Sequence, residues 1–181
     1  MLDQLSVLKL ATARLDAAGI AYMITGSIAA GHYAQPRFTR DIALVVELQP
    51  DDAERLAALF GDQFECSLAG IRGAISRQSM FNLIHTEAIV KVDFVVRRST
   101  PYRLEEFRRR RSVSIDGQSM WIVAPEDLIL SKLLWAKESH SELQLRDVRR
   151  IIDAQPGLDW PYLERWAESL TAIELLSEVR S

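Results

Sequence analysis

The stretch Arg37-Phe38-Thr39-Arg40-Asp41-Ile42-Ala43-Leu44-Val45-Val46 decides how the rest of the chain is read. Gln35-Pro36-Arg37 breaks any preceding helix, and residues 42–46 then read as a buried strand with an acid, Asp41, at its start. A second apolar run, Ile89-Val90-Lys91-Val92-Asp93-Phe94-Val95-Val96, carries an acid in its interior. A carboxylate in a buried strand is costly unless it is paired, hydrogen-bonded or bound to a cation. Two such acids on neighbouring strands would gather negative charge at one sheet edge. That arrangement suits a Mg²⁺ ion carrying a nucleoside triphosphate, because Mg²⁺ takes oxygen ligands and keeps waters and phosphate oxygens. The plainer alternative is that each Asp ends a strand and pairs with Arg40, Arg37 or Lys91.

Upstream, Leu2, Leu5, Leu8, Leu10, Ala13 and Leu15 recur at helical spacing until Gly19, a helix stop. Residues 21–25 then form a short strand that ends at Gly26-Ser27, and residues 28–33 a short helix that Ser27 is expected to cap. Backbone N–H groups and a hydroxyl at such a strand-to-helix turn are the geometry that binds phosphate. A lone Gly-Ser is equally a plain tight turn. Downstream, Pro50-Asp51-Asp52 opens a helix to residue 60, with acids where the helix dipole favours them. The spacing predicts a weak strand at 64–67, a helix at 71–77, strands at 81–85 and 88–96, a helix at 101–110 and a hairpin turn at Asp116-Gly117. Beyond Ala124 the pattern is helical only: 125–139, 143–154, 161–170 and a last turn to 179. The expected class is α/β (α+β), a small mixed sheet flanked by helices and followed by a C-terminal helical bundle. The seam near Ala124-Pro125 divides a core, 1–124, from a helical part, 125–181, packed on it as one compact unit.

Composition narrows the classes. The 181 residues, 48% hydrophobic with 8 Gly and 6 Pro, are those of an ordinary globular domain. A net charge of −3 gives no global bias toward polyanions, so any such site is a local patch. The single cysteine, Cys66, excludes an intrachain disulfide and suits a reducing cytosol. Met1-Leu2-Asp3 lacks a basic region followed by an apolar core, so no signal peptide is expected. No apolar run is long enough to span a bilayer, and the expected compartment is the cytoplasm.

Gly26-Ser27, then Arg37 to Ala43, then Val92-Asp93-Phe94 together resemble the signature of the polymerase-beta-type nucleotidyltransferase superfamily: a Gly-Ser turn, two acids one residue apart on a strand, and a third acid on a neighbouring strand. The Arg-x-Thr-x-Asp spelling resembles stand-alone prokaryotic members, the AbiEii-like toxins of toxin–antitoxin pairs. Glu126-Asp127-Leu128 with Lys132-Leu133, and Arg146-Asp147-Val148, extend the likeness, which runs from about Gly19 to Ile152. The resemblance implies Asp41 and Asp93 as catalytic acids and ligands of Mg²⁺ (or Mn²⁺), with Asp93 also acting on the attacking hydroxyl. It implies Gly26, Ser27 and Thr39 around an NTP, Lys132 against its phosphates and Asp147 lining the site. The reaction implied is attack on the α-phosphate, moving an NMP to a hydroxyl of tRNA, another RNA or a protein. A cognate antitoxin would be a partner.

Position 43 departs from that pattern. Side chains two apart on a strand share a face, so residues 41 and 43 point to the same place, and Ala43 stands where the signature wants Asp. Alanine cannot ligate a cation. Either the chain is a degraded enzyme kept as a binding module, for nucleotide sensing or for a partner, or the alanine is a deliberate replacement that silences it.

Other features favour packing. Lys132 lies among Leu128, Leu130, Leu133 and Leu134, where a lysine needs a reason; otherwise it is a solvated helix residue. Without the resemblance, Asp147 pairs with Arg146, Arg149 or Arg150. The basic segment of Arg97, Arg98, Arg103 and Arg108 to Arg111 either contacts RNA phosphates or is a solvated face. Trp135, Trp160 and Trp166 are expected between the C-terminal helices. His32, His85 and His140 lack metal-ligand spacing.

Overall fold

The computed structural model describes residues 3–37 and 39–180. Met1 and Leu2 of the first periodic run, Phe38 of the quoted stretch, and Ser181 lie outside the described residues. The chain opens with α1 (Gln4–Ala17), whose N-terminus is closed by the Asp3 carboxylate accepting from the Ser6 N–H at 2.8 Å. Strand β1 (Tyr22–Thr25) leads straight into α2 (Gly26–Tyr33). β2 (Asp41–Val46), α3 (Asp52–Phe60), the short β3 (Phe64–Glu65) and α4 (Leu68–Arg77) follow. Next come β4 (Met80–His85), β5 (Val90–Val96), α5 (Pro101–Arg108), β6 (Arg111–Ile115) and β7 (Gln118–Ile122). From there on the described chain is helical: α6 (Pro125–Ser139), α7 (Glu142–Ala154), α8 (Trp160–Ser169) and α9 (Ile173–Arg180).

The strands form one mixed seven-stranded sheet in the order β3-β4-β5-β2-β1-β7-β6. Two pairings are parallel, β2 with β5 and β1 with β7, and the other four are antiparallel. Alternation sorts the side chains of β2, β4 and β5 onto two faces. Ile42, Leu44 and Val46, Phe81 and Leu83, and Val92, Phe94 and Val96 are buried in the apolar core. The other face, with Asp41, Ala43, Lys91, Asp93 and Asn82, is half-buried or exposed. β1 is buried on both sides at Tyr22, Met23 and Ile24.

α1 is tied across this sheet at both flanks. Lys9 Nζ pairs with the Asp116 carboxylate at 2.9 Å in the β6–β7 turn, and Arg14 pairs with Asp62 at 2.7 Å in the turn after α3. α2 packs on β1 and β2 and also on α6 and α7, and so links the open end of the sheet to the C-terminal helices. The Tyr33 hydroxyl fixes that link by donating to the Val123 carbonyl at 2.7 Å. Two local expectations are corrected. Helix α2 begins at Gly26, so Ser27 lies inside its first turn and does not cap it; Thr25 holds the cap position without a side-chain bond. The last turn is an eight-residue helix, α9.

Candidate functional site

The sheet register builds the centre of the site. Thr25 pairs with Ala43, and Ala43 pairs with Asp93, so three adjacent strands place these residues in one row. Two residues toward the β2 start, Asp41 pairs with Lys91. Asp41, Ala43, Lys91 and Asp93 therefore share the open face, as the spacing on each strand requires. The chain turns off β1 at Gly26, whose φ of +67° lies in the left-handed region. A Cβ built there would stand 3.1 Å from the Ala43 Cβ. The first turn of α2 thus abuts position 43, and the missing Gly26 side chain leaves the room beside it.

Lys91 joins the two acids. Its Nζ lies 3.4 Å from Asp41 Oδ2 and 3.3 Å from Asp93 Oδ2. Burial alone would push the Lys91 ammonium down, but the Asp93 and then the Asp41 charges and hydrogen bonds hold it above its ordinary range. For Asp93, burial outweighs Lys91, and the nearby Asp41 charge adds to it, so its carboxyl is raised. Asp93 Oδ1 is buried with no hydrogen-bond partner. Among the described residues, no group of three or more His, Cys, Asp and Glu side chains is placed to hold a metal ion. The donor set does not fit a resident divalent cation: position 43 offers no oxygen, one Asp93 oxygen is closed off, and the Oδ2 atoms of both acids face an ammonium.

A second cluster ties the Gly-Ser turn to the helices. The Arg37 guanidinium donates to Ser27 Oγ at 2.6 Å and reaches Asp147 Oδ1 at 3.3 Å. Lys132 Nζ donates to Asp147 Oδ2 at 2.8 Å and to Gln144 Oε1 at 2.9 Å. Lys132, Asp147 and Gln144 are all buried. Burial pushes the Lys132 ammonium below its ordinary range, although Asp147 works against that. Burial would raise Asp147, but Lys132 and then Arg37 hold its carboxyl below the usual carboxylate range. Lys132 is therefore no solvated helix residue, and Asp147 pairs with Lys132 and Arg37. Gln144, which the sequence reading missed, lies three residues before Asp147 on the same face of α7. Thr39 stands apart from this cluster, its hydroxyl 3.4 Å from the Asp41 carbonyl.

Solved structures share this arrangement of elements. A nucleotidyltransferase-like antigenic protein from Paracoccidioides brasiliensis superposes with a TM-score of 0.59 at 20% identity, over 96% of this chain and 90% of that one. The antibiotic-resistance factor ANT(2'')-Ia superposes with a TM-score of 0.60 at 13% identity, over 97% and 96%. The lincosamide antibiotic adenylyltransferase LnuA, bound to lincomycin, gives 0.53 at 10% identity, over 83% and 96%. The chain has the nucleotidyltransferase fold. No family model and no curated sequence matches it.

On this nucleotidyltransferase fold, several motif residues serve architecture. Asp127 is fully buried, accepting from Arg109 Nε at 2.9 Å and the Tyr162 hydroxyl at 2.6 Å, and Arg109 lies 3.8 Å from the centre of the Tyr162 ring. Glu126 accepts from Arg109 at 3.1 Å and from the Asp159 N–H at 3.2 Å. The basic segment is largely consumed in the same way. Arg97 pairs with Glu47, Arg103 with Glu106 and Arg108 with Glu105, and Arg111 lies 3.7 Å from Glu126. Trp160 and Trp166 pack against the core, whereas Trp135 is 57% exposed and so departs from the expected packing. A cavity of about 660 Å³ lies beyond the other end of β2, lined by Glu47, Glu54, Arg72 and Arg97 among others. Six strand steps, roughly 20 Å, separate Glu47 from Asp41, and the cavity's arginines are paired with its own glutamates. Among the described residues, no helix is long and apolar enough to cross a membrane.

Proposed function

We propose that the chain binds a nucleoside triphosphate on the open sheet face, and that Ala43 suppresses transfer of the NMP to an acceptor hydroxyl. The observation that carries this reading is the row Thr25–Ala43–Asp93 meeting the first turn of α2. Gly26 and Ser27 would present N–H groups and a hydroxyl to the phosphates, and Arg37, held by Ser27 and Asp147, adds a cation beside them. Asp147 and Lys132 would act by fixing Arg37 and the α2–α7 contact, since Lys132 is spent on Asp147 and Gln144. Asp41 and Asp93 are the acids a transferase would use. Metal-assisted transfer needs oxygen ligands that position 43 does not supply.

Two of the similar structures act on antibiotics, the lincosamide adenylyltransferase and ANT(2'')-Ia, the latter also seen with adenylyl-2''-tobramycin. A hydroxyl acceptor on a small molecule therefore stands beside RNA and protein hydroxyls. The pairing of the basic segment with neighbouring glutamates argues against that segment as an RNA contact. A toxin role and an antitoxin partner rest on the sequence signature.

The experiment is direct. The chain and its Ala43→Asp variant are incubated with each labelled NTP, Mg²⁺ and total RNA, total protein or aminoglycosides. Binding by both, with transfer only by the variant, is expected. Absence of NTP binding in both would overturn the reading.

A further inference from the structure

We propose that Lys91 is a tethered cation that takes the place of a divalent metal between Asp41 and Asp93, so that this face receives a triphosphate without metal. The triphosphate half of this inference rests on the function proposed above; the exclusion of metal does not. Lys91 and Asp41 are register partners on parallel strands, and Asp93 lies two residues further along the Lys91 strand. The backbone itself thus delivers the ammonium between the two carboxylates, at 3.4 Å and 3.3 Å from their Oδ2 atoms. An ammonium has three donors. The two carboxylates lie within ion-pair distance of it, and the side chain is 39% exposed, so a phosphate oxygen arriving from solvent could accept from the ammonium as well.

Charge favours the same conclusion. With Asp at position 43 the face would carry three carboxylates and one ammonium, a deficit of two positive charges that a divalent ion makes good. With Ala43 the two acids and Lys91 leave a deficit of one. A divalent ion entering this site would meet a fixed ammonium only a few ångströms away and would find one ligand fewer. A triphosphate meets the Lys91 ammonium, the Arg37 guanidinium and the N–H groups that open α2.

The test uses Mn²⁺ alone, with no nucleotide, so its failure is separable from a failure to bind NTP. Mn²⁺ is titrated into the folded chain, and paramagnetic broadening is followed at the Gly26, Ala43 and Asp93 amides. The unmodified chain is expected to show no selective broadening there. Lys91→Met is expected to gain Mn²⁺ affinity roughly 10–30-fold, the factor for removing a unit charge near 4 Å from a divalent ion in water. If the Met variant does not fold, Lys91→Gln, which keeps a polar end group, takes its place, and Ala43→Asp is compared with Ala43→Asp/Lys91→Gln. Selective broadening in the unmodified chain overturns the proposal, and so does a Lys91 replacement that leaves Mn²⁺ affinity unchanged. Broadening that appears only when Lys91 is removed supports it.

Discussion

Replacing Asp147 with Asn tests the cluster that joins the Gly-Ser turn to the C-terminal helices. Asp147 and Lys132 are 3% and 4% exposed at the side chain and meet at 2.8 Å. Asn keeps the shape and one acceptor but removes the charge, leaving a buried ammonium with neutral acceptors alone, Gln144 Oε1 and the new amide oxygen. Breaking a buried ion pair from one side costs about 3–5 kcal/mol. In a domain of this size that lowers the midpoint of thermal unfolding by roughly 6–20 °C.

The pH dependence identifies the cause. Lys132 already sits below its ordinary value because of burial, and loss of Asp147 lowers it further. Folding then expels a proton between the folded and unfolded values of Lys132, so the variant gains stability as pH rises through that window. Thermal and urea unfolding at neutral and alkaline pH measure both effects. A large deficit at neutral pH that narrows toward alkaline pH is expected. A deficit below about 1 kcal/mol, or one equally large at both pH values, would refute a buried, charge-paired Lys132.

Three further outcomes are expected. Gly26→Ala should cost roughly 1–2 kcal/mol from its left-handed backbone, and more because its new Cβ would lie 3.1 Å from that of Ala43; urea unfolding of Gly26→Ala, Ala43→Gly and the double variant measures how much of the cost is that contact. Tyr162→Phe removes the 2.6 Å donor to the fully buried Asp127, and should cost about 1–3 kcal/mol for an acceptor left without its partner, read by calorimetry. Trp135→Ala should change stability by no more than about 0.5 kcal/mol, since the ring is 57% exposed; a loss several times larger would mean that α6 packs differently.

Local chemistry made much of this legible in advance. Pro125 and the leucines after it define α6 over the span expected, and Asp116-Gly117, with φ of +46° and +77°, is the two-residue hairpin turn that a right-handed strand twist favours. The open face was legible too, because alternation on β2 and β5 forces Asp41, Ala43 and Asp93 to one side once the strands are recognised. What escaped depends on contacts between distant segments. The β6–β7 hairpin joins the sheet beside β1 through one parallel pairing, Ile24 with Ile122, which no local pattern announces. The leucines around Lys132 signalled burial, but its partner Asp147 lies on the next helix and is shared with Arg37, 110 residues away. Ser27 was misread as a cap because Gly26 can itself open the helix at positive φ.

The central claim is that a nucleoside triphosphate binds where the first turn of α2 meets the row from Thr25 to Asp93. Titrating each of the four NTPs into the unmodified chain while following its amide NMR signals tests this most directly. Saturable shifts at Gly26, Ser27, Ala43 and Lys91, with little change around Glu47 and Arg97 at the far end of β2, are the expected result. Shifts confined to the far end, or no saturable shift with any NTP, would contradict it.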